Sequence, residues 1–136
     1  MEKIYSKLIF NNKHSKHYDE IDLVTFSPDG TQLAYRARIN NKFVVVINEK
    51  DSKKYKEFGS YPHIDFVTFS SDSKKFAFKA TILYNEHFIP ISKNGKIEDE
   101  KINYYDDIEG LQYYSPEECF IYLAQLRNEI YLVKQK

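Results

Sequence analysis

The chain has 136 residues, enough for one domain with a real core. Its 20 basic and 20 acidic residues balance, which argues against a dedicated nucleic-acid binder with its basic face. No apolar run reaches the roughly 18–20 residues of a membrane span, and MEKIYSKLIF lacks the apolar core of a signal peptide, so a cytoplasmic, membrane-free protein is expected. Twelve Tyr and ten Phe favour strands, and only four Gly and four Pro argue against disorder.

In chain order, Ile4–Phe10 and His17–Glu20 read as two strands that open the chain in mid-repeat. KLIFNNKHSKHY (Lys7–Tyr18) resembles VVVINEKDSKKY (Val44–Tyr55). His14 and His17 fall where the other copy has Asp51 and Lys54, so they read as a solvated hairpin pair, not as metal ligands. Next comes IDLVTFSPDGTQLAYRARI (Ile21–Ile39), with the turn Phe26–Gly30 (FSPDG). Pro28 presets φ, Asp29 accepts from its own backbone and Gly30 takes the left-handed conformation. Val44–Ile47 follows after a polar gap. Lys53, Lys54 and Lys56 are expected on one strand, where they protect a sheet edge.

The second copy is IDFVTFSSDSKKFAFKATI (Ile64–Ile82), whose turn Phe69–Ser73 (FSSDS) keeps Ser70 and Asp72 but neither Pro nor Gly. It predicts an inner strand Asp65–Phe69, a second strand Lys75–Ile82 with Phe76 and Phe78 on one face, and a turn at Asn85–Glu86. A third strand His87–Ile91, an Asn94–Gly95 hairpin turn and a fourth strand Lys96–Ile102 complete it. The third copy, IEGLQYYSPEECFIYLAQL (Ile108–Leu126), carries YSPEE (Tyr114–Glu118) and one extra residue near Gly110, where a β-bulge is expected. Ile130–Val133 is aligned with Val44–Ile47 and Phe88–Ile91. Cys119 has no internal partner and reads as a reduced thiol at a strand start; no nucleophile motif surrounds it.

A period of about 40–45 residues, four antiparallel strands each, marks propeller blades. FSPDGTQLAY (Phe26–Tyr35) resembles the WD-repeat-like blade of TolB-type propellers, aromatic-Ser-Pro-Asp-Gly-Lys-x-Leu-Ala. The Trp-Asp pair and Gly-His signature of true WD repeats are missing. The resemblance implies an all-β propeller scaffold and carries no catalytic residue. The expected organisation is a partial repeat over 1–20, blades over 21–63 and 64–107, and an incomplete blade over 108–136. Three blades do not close a ring, so the chain is expected either to be a segment of a longer propeller or, the favoured reading, to pair as a homodimer forming a six-bladed ring. In it, the N-terminal hairpin of one subunit adds to the last blade of the other.

The loops leading into the inner strands read YDEID (Tyr18–Asp22), YPHID (Tyr61–Asp65) and YDDIE (Tyr105–Glu109). Glu20, His63 and Asp107 fall at one set of equivalent stations near the axis, and Asp22, Asp65 and Glu109 at a second. With Asp19 and Asp106 they form the candidate ligand- or partner-binding set. Loops at Asn40, Asn41, Asn85, Glu86, Arg127 and Asn128 are expected on the same face. Converging carboxylates suit a Ca²⁺ or Mg²⁺ ion, a basic peptide or a cationic ligand; the plainer reading is solvated loops. The favoured function is a non-catalytic protein-interaction or ligand-binding scaffold, acting through the loops of this face and without a cofactor. The alternative is a propeller hydrolase with an axial divalent metal.

Overall fold

A computed structural model describes residues 5–49, 55–83, 86–93, 96–98 and 103–136. The described chain is all-β apart from one short 3₁₀ turn, and every strand pairing is antiparallel. A two-residue hairpin opens it, β1 (Ile9–Phe10) with β2 (Lys13–His14). The first full sheet has the order β3 (Glu20–Phe26), β4 (Gln32–Ile39), β5 (Lys42–Glu49), β6 (Tyr55–Tyr61). The second sheet joins β7 (His63–Phe69) to β8 (Lys75–Thr81). Its third strand comes in two pieces, β9 (His87–Phe88) and β10 (Ile91–Lys93), followed by β11 (Lys96–Glu98). The third sheet is β12 (Asp107–Tyr114), β13 (Cys119–Leu126) and β14 (Glu129–Gln135). Each sheet is one sequence repeat.

Several expected boundaries move, each for a local reason. Glu20 pairs with Arg38 and so begins the inner strand β3, while the hairpin strand before it is Lys13–His14. Two Asn-Asn turns close hairpins, Asn11–Asn12 (φ 50° and 61°) and Asn40–Asn41 (φ 51° and 64°), because both central residues of a type I′ turn need positive φ. The inner strand of the second sheet starts at His63, which pairs with Thr81. Its third strand breaks at Pro90, which has no N–H to give the ladder, yet the pairing register with β8 is the same on both sides. In the third sheet Ala124 pairs with Tyr131, so Tyr131 rather than Ile130 matches Val44. Asp51, Lys53, Lys54, Asn85, Asn94, Gly95 and residues 99–102 lie outside the described residues. Lys56 lies on β6, the edge strand of the first sheet.

The bulge expected at Gly110 is present, but all three inner strands have it. The register slips between Asp22 and Thr25, between Asp65 and Thr68, and between Glu109 and Gln112. Leu23 (φ 51°), Phe66 (φ 56°) and Gly110 (φ 70°) take the left-handed conformation at the same repeat position. The extra residue of the third copy instead lengthens the paired run that ends at Tyr114–Cys119, ahead of the short turn Ser115–Glu117.

The sheets stack face to face. Phe76, Phe78, Ala80 and Ile64 of the second pack on Ala34, Val45 and Ile47 of the first. Phe120, Tyr122 and Ala124 of the third pack on Ala77, Ile89 and Ile91 of the second. Leu8 and Phe10 of the hairpin pack on Leu33, Tyr35 and Val46, so the hairpin covers the first sheet as Val45 and Ile47 cover the second. Burial of these apolar faces is the main source of stability. Each repeat also sets one aromatic from just before its inner strand edge-on or tilted against its second strand. Tyr18 meets Tyr35 at 6.3 Å, Tyr61 meets Phe78 at 6.0 Å and Tyr105 meets Tyr122 at 6.3 Å.

Candidate functional site

The candidate residues lie at one end of the stack, where the inner strands begin. In the pairing register Glu20, His63 and Asp107 oppose Arg38, Thr81 and Gln125, and Asp22, Asp65 and Glu109 oppose Arg36, Lys79 and Leu123. The turns after the second strands share this end. Asp19 accepts from the Asn40 amide at 3.1 Å, and Asp106 accepts from the Arg127 amide at 2.6 Å. These two carboxylates therefore clip turns. Pro62 stands at their place in the second repeat, where no side-chain acceptor exists.

Most of the other acids meet cations of the second strands. Arg36 donates to Asp22 through Nε at 2.7 Å and Nη2 at 2.5 Å, a bidentate pair. Its Nη1 crosses to the next sheet, donating to the Ile64 carbonyl at 2.6 Å and to Asp65 at 3.3 Å. The Arg36 side chain is 14% exposed, against 37% for Asp22 and 33% for Asp65. Asp22 first of all holds the guanidinium charged, raising a pKa that burial alone lowers. Lys79 repeats the crossing, donating to the Ile108 carbonyl at 2.9 Å and to Asp107 at 3.2 Å. Burial pushes the Asp107 carboxyl up, but Lys79 and the Ile108 amide outweigh it and leave the group below the usual range. The third sheet carries Leu123 at this position, so the series of cations stops there. Sequence reasoning singled out the acids and missed Arg36 and Lys79. Their signal was present: aligned second strands carry a cation at this place in two of three copies.

The structure brings some predicted residues together and leaves others apart. Asp22 and Asp65 share Arg36. His63 approaches Asp65 at 2.8 Å and stacks edge-on to Phe43 at 5.4 Å, while the Arg36 guanidinium lies 4.7 Å above the Phe43 ring. Glu20 pairs with Arg38 at 3.4 Å, with both side chains substantially exposed. Glu109 is exposed and borders a small cavity of about 100 Å³ with Asp107, Leu123, Gln125 and Ile130. Among the described residues no three His, Cys, Asp or Glu side chains group as a metal site. His14 and His17 are exposed, and His17 stacks on Tyr5. Cys119 is a buried free thiol.

Beside the acidic stations, the bulges present apolar side chains. Leu23 is 39% exposed and Phe66 54%, with the Lys79 ammonium 5.8 Å over the Phe66 ring. At the opposite end, Ser27 and Ser70 are buried and organise their turns identically. Each donates to the turn aspartate, Asp29 at 2.8 Å and Asp72 at 2.6 Å, and each accepts from the amide that starts the next strand, Gln32 or Lys75, at 3.0 Å. Ser73 takes Gly30's left-handed place at φ 63° and links the two turns, its hydroxyl accepting from the Asp29 amide at 3.1 Å.

No protein-family model matches the chain, and no curated protein matches it. Several solved structures do. TolB from Acinetobacter baumannii superposes with a TM-score of 0.62 and 14% identity, over 96% of this chain and 34% of that one. An oligogalacturonate lyase solved in complex with manganese gives 0.57 and 13%, over 96% and 41%. The β-propeller domain of the Trilobed protease from Pyrococcus furiosus, which has an open velcro topology, gives 0.55 and 14%, over 93% and 46%. These likenesses show the fold alone: an all-β chain of antiparallel sheets arranged as in propeller domains. The chain spans less than half the length of each of these proteins. Among the described residues no helix is long and apolar enough to cross a membrane.

Proposed function

We propose that this chain is a TolB-type, WD-repeat-like propeller module whose three sheets are blades and whose role is binding, not catalysis. Two copies close a six-bladed ring in the cytoplasm. The end bearing Glu20, Asp22, His63, Asp65, Asp107 and Glu109 recognises a basic peptide segment, with Asp19 and Asp106 holding the adjoining turns in place. The observation that carries this reading is the repeat itself, which sets acidic side chains at equivalent stations on a stack tied together by Arg36 and Lys79. A rigid scaffold with polar loops at one end is how such folds present a binding surface. Glu20 and Glu109 keep exposed carboxylate for a ligand.

The metal-hydrolase alternative has less support, because Arg36 and Lys79 already occupy the oxygens a divalent ion needs. The test is calorimetric titration of lysine- and arginine-rich peptides into the wild type and a Glu20→Gln, Glu109→Gln variant. Saturable binding that the variant loses is expected. No binding by any basic peptide overturns the assignment.

A further inference from the structure

The two ends of the stack are unlike in charge and in covering. The described hairpin segment, residues 5–18, carries Lys7, Lys13 and Lys16 and no Asp or Glu. The stretch 103–118, which leads into and forms the inner strand of the third sheet, carries Asp106, Asp107, Glu109, Glu117 and Glu118 and no Lys or Arg. Asp107 and Glu117 already meet Lys79 and Lys134, at 3.2 and 2.7 Å, and Asp106 clips its turn, so the charge offered outward is that of Glu109, cross-strand from Leu123, and Glu118. On the third sheet, the face turned away from the second is apolar and open. Leu123 pairs with Leu132 and Gln125 with Ile130 on that face, and Leu123, Ile130 and Leu132 are 48%, 72% and 61% exposed. The corresponding faces of the first and second sheets are each covered by the next sheet. Scattered exposed apolar residues are ordinary, but three neighbours on one sheet face are a contact surface without its partner.

We infer that this face of the third sheet docks on the basic N-terminal hairpin of a second copy, head to tail. The inference rests only on the pairing of two copies proposed above, and it sets the hairpin against the face of the third sheet rather than along its edge. The hairpin suits the role on two counts. It supplies cations to an acidic surface, and it exposes Tyr5 and Ile9, at 51% and 58%, to meet Leu123, Ile130 and Leu132. The hairpin does not leave its own first sheet to do this: Tyr18 stays buried there, with Leu8 and Phe10 against Leu33 and Tyr35. The joint is of a different kind from the internal ones. Leu123 has no donor for the neighbour's carbonyl, so apolar contact and long-range charge replace the Arg36 and Lys79 bridges. Association is therefore expected to weaken as salt rises from about 0.05 M to about 0.5 M.

The experiment is light scattering across a dilution series on the wild type and on two variants, Ile130→Asp with Leu132→Asp, and Lys7→Glu with Lys16→Glu. It is paired with carbodiimide cross-linking of mixed isotope-labelled and unlabelled wild-type chains. The expected result is a two-chain mass for the wild type, association weakened at least about tenfold in each variant, and inter-chain cross-links joining hairpin lysines to third-sheet carboxylates. A wild type that stays at one-chain mass overturns both the pairing and this surface. A two-chain wild type whose cross-links join like segments, or whose folded variants keep full affinity, overturns the surface and leaves the pairing standing.

Discussion

Arg36 of the first sheet donates to the main-chain carbonyl of Ile64 in the second at 2.6 Å, while its other nitrogens grip Asp22. One side chain thus neutralises an acid within its own sheet, satisfies a backbone acceptor in the next and reaches a second acid there. Replacing it with Met keeps the stem but takes from Asp22 its bidentate partner, from Asp65 the cation the two acids share and from the Ile64 carbonyl this donor. The cost is expected at about 2 kcal/mol, tempered because both acids are about one-third exposed. Urea unfolding of Arg36→Met measures it, and a change under about 0.5 kcal/mol would mean the bridge is not structural. Arg36→Lys should fall between, since it keeps the charge and loses the bidentate fork.

Ser73 trades backbone strain for a bond between turns. At φ 63° it takes a conformation that Gly30 adopts freely at φ 73°. Ser73→Ala removes the acceptor for the Asp29 amide and retains the strain, so a loss of about 1 kcal/mol is expected. Ser73→Gly removes both, and its stability should lie near the wild type. Thermal unfolding of the pair separates the two effects. Equal losses in both variants would show that the strain is negligible.

The bulge residues predict an unusual direction of effect. Gly110 has open space where a Cβ would stand, so Gly110→Ala tests φ alone and should cost about 1 kcal/mol. Leu23→Gly at the equivalent place relieves the same strain, at the cost of a side chain that is already 39% exposed. It should be neutral or stabilising by up to about 1 kcal/mol, unlike a glycine placed elsewhere in a strand. A loss above about 1 kcal/mol would instead assign Leu23 a packing role.

Acid sensitivity should concentrate at the turns. Hydrogen bonds from the Thr31 amide, the Thr31 hydroxyl and the Ser27 hydroxyl hold the Asp29 carboxyl down at about 2, and Ser70 and the Lys74 amide hold Asp72 low. The folded value lies below the unfolded one of about 3.9. The contribution is therefore complete above about pH 4 and is lost as pH falls toward about 2. Asp29→Asn keeps an acceptor oxygen and removes the titration. Its melting temperature should depend less on pH than the wild type's across this window; parallel curves for the two proteins would refute the assignment.

The stacked sheets were legible because burial imposes a pattern on each repeat separately: Phe76 and Phe78 on one face, Tyr and Ile leading each inner strand, Ser and Asp in each turn. The second turn lost Pro and Gly, and Ser70 and Asp72 still rebuilt the hydrogen bonds of Ser27 and Asp29. Other features depend on the neighbour and have no local signature. Nothing local in Arg36 says that its acceptor is Ile64, and Leu23 and Phe66 are poor residues for positive φ, so only the register reveals their bulges. The acids are legible by type, and their partners are not. Asp19 and Asp106 read as ligands by type, whereas backbone amides of Asn40 and Arg127 take them up.

The cation bridges have a consequence for how the molecule comes apart. The second sheet is tied on both faces, by Arg36 on one side and Lys79 on the other, whereas the first and the third are each tied on one, and of these two the first has its other face covered by its own hairpin. A stack in which each layer leans only on its neighbours loses its layers from the weakly held end. Amide protons of β13 and β14 should then exchange through a partial opening that leaves β4, β5 and β8 protected, so the protein melts by fraying before it melts as a whole.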